Sequence, residues 1–421
     1  MKKRCRICNN KLISILSFSK VALSGSFLKK KQIKKEKKYP LSLAVCKKCK
    51  HLQIQNIISP KKLFNYYEWE TGVSKSNINL IVSLLSKLNK QFQLNNNSKV
   101  FEIASNDGTL LREIKNRYKS YALGIDPAKN LINISNKKKI NTIVDFFSYK
   151  KSKMIKKKYM SFDFCIARNV IAHTSNPNDI FKGVFNLLND KGIFVIEVPH
   201  LQNIYRDNQY DNIFHEHVGF HSLKSLKNLC KKNNLKIIDV EKFDSQGGSL
   251  RCFISKKNYN FKIHNRVTLF FKKEVEAGLF KLKTWINFSI KIRNHKDKLN
   301  NLLKKLKKNK YSISAYGASG KGQALLQICN ISNNFIDHIY DKSKLKQGKY
   351  TPGTHIKIID PKYININKPD YLLLLSWNLA KEIAKQENKY LNNNGKIIIP
   401  FPNPHQLRRM YLKSRINFSN K

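Results

Sequence analysis

Four side chains able to take or deliver a proton, His215, Glu216, His217 and His221, fall within seven residues of the segment VPHLQNIYRDNQYDNIFHEHVGFHS. An imidazole titrates near neutrality and a neighbouring carboxylate can orient it, so the cluster suits general acid–base work. It does not suit a helical metal site, because HEH lacks the HExxH spacing that sets two histidines on one helix face. A solvated histidine-bearing loop is the alternative. A second chemistry lies in the cysteines. Cys5 and Cys8 (CRIC) and Cys46 and Cys49 (CKKC) form two pairs with 37 residues between them. Each CxxC turn can present two thiolates to one tetrahedral ion, and two such turns complete a four-sulfur zinc site. With no open position on the metal, that site is structural.

A third pattern runs from Phe101 to Asn130, FEIASNDGTLL, a polar helix, then GIDPAKN. A short apolar run carrying Glu102 passes into a small polar turn (Ala104, Ser105, Asn106, Asp107, Gly108) and then a helix: strand, ligand-cradling turn, helix. About twenty residues on, YALGID ends in Asp126, where an acid can accept hydrogen bonds from the two hydroxyls of a ribose. A dinucleotide loop needs GxGxxG, and its first two glycines are replaced here by Ala104 and Asn106. The combination resembles the S-adenosylmethionine (SAM) site of Rossmann-like methyltransferases, which implies that Glu102 helps to hold the amino acid end of SAM. An ordinary α/β turn with acids at its strand ends is the plainer reading.

These residues need elements to carry them. From Lys99 to about Cys252 apolar runs alternate with helical patterns (VFEIA, YALGID, TIVDFF, FDFCIARNV, GIFVIEV, then LKIIDVEKF and SLRCFI), which predicts a parallel doubly wound sheet with an antiparallel finish. The cofactor belongs across the carboxyl ends of its strands. There Asp145 and Phe146 are placed to stack and hydrogen-bond an adenine, and Arg168, Asn169 and His173 share the rim. QGGSLR, with Gly247, Gly248 and Arg251, fits either an anion site or a hairpin. Ahead of this sheet, NYYEWETGVSKSN clusters Tyr66, Tyr67, Glu68 and Trp69 before Gly72 and Ser74, an aromatic turn that could lid the pocket. Beyond it, basic amphipathic helices lead to a second α/β pattern. That pattern holds GASGKG, whose Gly317, Ser319 and Gly320 amides could cradle a phosphate with Lys321 adding charge. The expected domains are a zinc module at 1–55, a helical linker at 56–95, a methyltransferase domain at 96–255 and a C-terminal α/β domain with helical connector at 256–421.

At 421 residues the chain can bury several cores, so it is no small stapled module. The net charge of +54 is mostly lysine spread along the whole length. That reads as drift on solvated faces more than as a nucleic-acid stripe, which would be local and richer in Arg. A zinc-containing nucleic-acid-binding protein remains an alternative class. No apolar run reaches the ~20 residues of a membrane span. No h-region follows the basic N-terminus, so the expectation is a cytoplasmic protein with reduced thiols.

In order along the chain, the CxxC pairs, GVSKSN, EIASNDGTLL, GIDPAKN, ARNVIAH, EVPHL, YDNIFHEHVGFHS, QGGSLR, YGASGKGQALL, KQGKYTPGTHIKI and SWN resemble the sugar C-methyltransferase family. The resemblance spans almost the whole length. It implies SAM-dependent methylation of the carbon beside the keto group of a nucleotide-linked 4-keto-deoxysugar, with dTDP as the expected nucleotide. A SAM methyltransferase acting on another small substrate is the runner-up. It implies His217 as base with Glu216 beside it, His173 near the keto oxygen, Tyr67 closing the pocket, and a cofactor set of Glu102, Ala104, Asn106, Asp107, Gly108, Asp126, Asp145, Phe146 and Asn169. Phe214 departs from the tyrosine that similar members carry just before HEH. Ala104 departs from a glycine in the SAM turn.

Overall fold

In the computed structural model, which describes residues 3–137 and 139–407, the chain folds as two units built from interleaved segments. Among the described residues the first takes those up to 14, 44–202 and 216–281; the second takes 15–43, 203–215 and 282–407. The strands near the cysteines are β1 (Leu12–Ala22), β2 (Lys38–Cys46) and β3 (Leu52–Ile54). The first unit continues with β4 (Lys99–Ile103), β5 (Tyr121–Asp126), β6 (Thr142–Val144), β7 (Phe162–Arg168), β8 (Leu188–Pro199), β9 (Gly219–Phe220), β10 (Leu235–Phe243) and β11 (Ser249–Lys256).

The sheet order β10-β11-β8-β7-β4-β5-β6 sets β7 at the centre with β4 beside it, where the strand order reverses in a doubly wound sheet. Strands β4 to β8 run parallel, whereas β11 lies antiparallel to both β8 and β10. The parallel centre with an antiparallel finish matches the sequence pattern. Central strands covered by helices on both faces need continuous apolar runs, as in FDFCIAR and GIFVIEV. The helix Lys75–Phe92 shows how one face is covered. Ser74 caps it by accepting from the Asn77 amide at 3.4 Å, and Gln93 ends it in the left-handed region at φ +58°. Ile81, Leu84, Leu85 and Leu88 form its buried stripe at helical spacing and pack with Val100, Leu110 and Leu111. Each such side chain contributes on the order of 2 kcal/mol on burial.

The sheet's interior also contains charge. Glu197, near the end of β8, is fully buried and accepts from Arg168 Nε at 2.8 Å and from Arg251 Nε at 2.7 Å. Arg251 stands opposite Glu197 in the β8–β11 ladder and reaches on to Glu241, which also pairs with Lys87 from the covering helix. Burial alone would raise the Glu197 carboxyl, but the two guanidiniums outweigh it and hold it below its ordinary value.

The four cysteine sulfurs converge in the same unit, all within 4.8 Å of one another. Cys5–Cys49 and Cys8–Cys46 are each 3.4 Å apart. Metal–sulfur bonds of about 2.3 Å give a tetrahedron with edges of roughly 3.8 Å, so the donors fit a zinc ion. The amides of Ile7 and Cys49 point at the Cys5 and Cys46 sulfurs, the arrangement that steadies thiolate charge. Cys5, Ile7, Cys46 and Cys49 belong to the cluster that packs the core of the seven-stranded sheet. The zinc turns are thus part of that core.

In the second unit β12 (Ile313–Tyr316), β13 (Ile339–Tyr340), β14 (Ile358–Ile359), β15 (Tyr371–Leu374), β16 (Lys396–Ile399) and β17 (His405–Gln406) order as β14-β13-β12-β15-β16-β17. All are parallel except β17. The helices Asn265–Glu276 and Leu282–Lys308 are the basic amphipathic stretches expected between the two α/β patterns. Among the described residues no helix is long and apolar enough to cross a membrane.

Two outcomes follow from this packing. Glu197→Gln strips the shared partner from two buried guanidiniums and is expected to cost about 3–5 kcal/mol in urea unfolding; a loss under about 1 kcal/mol would contradict the role given to the trio. Elemental analysis of purified protein should find one zinc per chain. Cys49→Ser should lower both that content and the thermal midpoint, because the sulfurs sit in the core; an unchanged midpoint after metal loss would show the site to be dispensable.

Candidate active site

At the carboxyl end of β4 the chain turns through two left-handed residues that are not glycine, Ala104 at φ +56° and Asn106 at φ +54°, before Gly108 at φ +73°. A left-handed alanine costs about 1 kcal/mol, and the surroundings hold it there. Asp126, ending β5, fixes the turn: Oδ2 accepts from the Asn106 amide and Oδ1 from the Ala128 amide, both at 2.8 Å. Burial raises its carboxyl above the ordinary value, opposed by those two amides. Glu102 lies beneath the turn, 4% exposed, with Oε2 buried and unpartnered. Desolvation pushes this carboxyl well above its usual range, and the charge of Arg168 works against that rise.

Glu102 is not alone in this. Ser105 Oγ, Asn169 Oδ1 and His173 Nδ1 are likewise buried without a hydrogen-bond partner among the described residues. All four flank the ends of β4 and β7, adjacent parallel strands. Folded chains rarely leave so many buried polar atoms open unless a ligand or water completes them.

The aromatic turn lies over this rim. Thr71 donates through its amide (2.9 Å) and hydroxyl (3.1 Å) to Asn106 Oδ1, and Asn106 Nδ2 donates to the Trp69 carbonyl at 3.0 Å. Asp107 Oδ2 accepts from the Gly72 amide at 3.0 Å. A Cβ on Gly72 would come within 2.8 Å of both Thr109 Oγ1 and Asp107 Oδ2, so only glycine closes that approach. Tyr67 and Asn130 exchange two further bonds, amide to Oδ1 at 3.1 Å and Nδ2 to carbonyl at 2.8 Å. The segment expected to lid the pocket is therefore pinned to the turn after β4 and to the helix after GIDP.

Under this lid the proton-handling groups meet. His173 and His217 stand edge to face with ring centroids 4.8 Å apart, and Phe64 abuts His173 at 5.8 Å. Tyr67 donates its hydroxyl to Glu216 Oε2 at 3.5 Å. Desolvation, followed by the Glu216 carboxylate, raises the phenol well above its usual range, so it stays protonated. Desolvation lowers His173 to about 4, which leaves a neutral imidazole near pH 7. His221 and His215 have other work. His221 is buried, pushed down to about 4, and stacks on His51 at 4.8 Å. His215, in the second unit, faces the Pro40 carbonyl at 3.0 Å. The histidine run thus divides into His217 at the rim and two structural rings.

Of the cofactor set read from sequence, Glu102, Ala104, Asn106, Asp107, Gly108, Asp126 and Asn169 gather around one turn. Asn106 and Asp107 spend their side chains on the lid and on Thr109. Asp145 and Phe146 follow β6, where Asp145 pairs with Lys151 at 2.6 Å. Arg251 is a correction to the anion option for QGGSLR, since its guanidinium is consumed by Glu197 and Glu241. Sequence reasoning missed Glu197 and Asn130. Only the strand register exposes the first, and the second is an unremarkable polar residue within GIDPAKN.

In the second unit Gly317 turns at φ +89°, where a Cβ would strike Ser376 Oγ, and Ser319 caps the helix Gly320–Cys329. Lys321 is buried, and desolvation holds its ammonium below the ordinary value against the opposing charge of Asp211; Asp211 in turn accepts from Trp377 Nε1 at 2.7 Å. Asp341, after β13, accepts from the Ala318 amide at 2.6 Å and the Ser343 amide at 2.8 Å, the same latch that Asp126 forms in the first unit.

Comparison with known proteins finds three family matches along the chain. Residues 5–64 match a zinc-binding domain family, 77–240 a methyltransferase domain family and 244–402 the C-methyltransferase C-terminal domain family. The C-methyltransferase NovU of Streptomyces niveus is 30% identical over 402 residues, covering 95% of this chain and 96% of that protein. The phosphoethanolamine N-methyltransferase of Plasmodium falciparum is 26% identical over 141 residues, 32% of this chain and 50% of that protein. Among solved structures, PH0226 from Pyrococcus horikoshii OT3 superposes at a TM-score of 0.36 with 15% identity, over 48% of this chain and 100% of its own. With all three modules in order and a full-length relative at this identity, the chain belongs to the C-methyltransferase family and is a SAM-dependent methyltransferase with a four-cysteine zinc site.

Proposed function

We propose that this enzyme methylates the carbon beside the keto group of a nucleotide-linked 4-keto-deoxysugar, with dTDP as the nucleotide. The observation that carries the reading is the meeting of His217, His173, Glu216 and Tyr67 next to a rim of open, buried polar atoms. SAM, when bound, supplies the methyl group. The His217 imidazole takes the proton from the carbon next to the carbonyl, and Glu216 orients that ring and stabilises its charge. The neutral His173 ring donates a hydrogen bond to the carbonyl oxygen as it gains enolate charge. Tyr67, kept protonated, holds Glu216 and closes water out beneath the pinned lid. The carbanion then takes the methyl group, leaving S-adenosylhomocysteine. The relative NovU, itself a C-methyltransferase, supports carbon as the acceptor.

Incubation with methyl-labelled SAM and a dTDP-linked 4-keto-6-deoxysugar should give a product whose labelled methyl is bonded to carbon; an oxygen-bound methyl would overturn the proposal. His217→Ala should lower turnover by roughly 10²–10⁴-fold while S-adenosylhomocysteine affinity stays within a few-fold, and a parallel loss of both would count against the base assignment. His173 takes up a proton only near pH 4. Between pH 5 and 8 it therefore carries no charge, and His173→Asn should slow the reaction without moving its pH profile. A shifted acid limb would mean that His173 itself titrates in catalysis.

A further inference from the structure

Arg168 ends β7 one strand over from Glu102, where Glu102 pairs with Ile166. Its guanidinium is held by one nitrogen alone, Nε on Glu197 Oε2 at 2.8 Å, with the side chain 10% exposed. The other Glu197 oxygen belongs to Arg251. The two Nη groups of Arg168 make no hydrogen bond among the described residues, and it forms no ion pair with Glu102. An almost buried cation with two of its three nitrogens unbonded costs free energy that water at the rim only partly offsets. Beside it Glu102 Oε2 is buried and equally unpartnered, and so are Ser105 Oγ and Asn169 Oδ1.

An unbonded guanidinium edge and an unpartnered carboxyl on neighbouring strand ends, not paired with each other, match a ligand that carries a carboxylate and an ammonium on one carbon. An α-amino acid is such a ligand, and a guanidinium fork binds a carboxylate through two parallel bonds. Glu197 engages the fork through Nε and leaves both Nη groups unbonded among the described residues. We propose that Arg168 receives the carboxylate of the methionine end of SAM through its Nη groups while Glu102 takes the ammonium, so that the pair reads the zwitterion. This rests on the rim of β4 and β7 being the SAM site.

The test is calorimetric binding of S-adenosylhomocysteine and of its decarboxylated analogue, which keeps the ammonium and the adenosine. Wild-type protein should bind the decarboxylated compound about 10–100-fold more weakly. Arg168→Gln should lose a similar factor for S-adenosylhomocysteine, bind the analogue as wild type does, and so abolish the discrimination. Arg168→Lys should recover only part of it, having charge without the fork. Equal affinity of wild type for the two compounds overturns the assignment even if no variant folds. An Arg168→Gln protein weakened equally toward both would also overturn it, leaving Arg168 a purely structural partner of Glu197. Failure of wild type to bind either compound would instead remove the SAM site from this rim, and the proposal with it.

Discussion

A fully buried carboxylate keeps its charge only if something replaces the water it has lost, and Glu197 is held by two guanidiniums that do so. Much of the site depends on that arrangement. Arg251 ties the antiparallel edge to β8 and reaches Glu241, which Lys87 ties to the covering helix. Arg168 is drawn to the end of β7, where its charge opposes the desolvation of Glu102. One buried anion therefore couples strand register, helix placement and the electrostatics of the rim at the ends of β4 and β7. In an interior of low dielectric such a network holds a single geometry, and a methyl acceptor and donor that must align along one line require that.

The rim itself is defined by what remains unsatisfied. Most polar groups around the turn are engaged: Asp126 on two amides, Asp107 on Thr109 and Gly72, Asn106 on Thr71 and Trp69. The exceptions, at Glu102, Ser105, Asn169 and His173, are concentrated at two adjacent strand ends. The left-handed backbone at Ala104 is strain stored in the same place. The zinc-binding turns pack Cys5, Cys46 and Cys49 into the sheet's core, which makes their site part of the scaffold that carries this rim.

Periodicity and turn chemistry made the seven-stranded sheet and the four-sulfur site legible in the sequence, because apolar runs of strand length and CxxC spacing each have few structural solutions. The strand-end acids Glu102 and Asp126 were legible for the same reason. Pairing across the sheet was not. Arg251 sits beside two glycines and looks available to an anion, and only the register that sets it opposite Glu197 shows it to be spent. The division of the histidine run was equally hidden: His217 meets His173, from the chain after β7, whereas His221 stacks on His51, beside the last zinc-binding cysteine. Contacts of that kind link residues dozens to more than a hundred positions apart and leave no local periodic trace.

The claim on which the account turns is that the methyl donor lies across the ends of β4 and β7 beneath the segment 67–72. Hydrogen–deuterium exchange of the zinc-loaded protein, with and without S-adenosylhomocysteine, tests it directly. Slowed exchange is expected in 67–72, 102–108, 126–130 and 166–170, with little change in the C-terminal α/β unit. Protection confined to the C-terminal unit around 317–322, with the 102–108 turn unaltered, would contradict it.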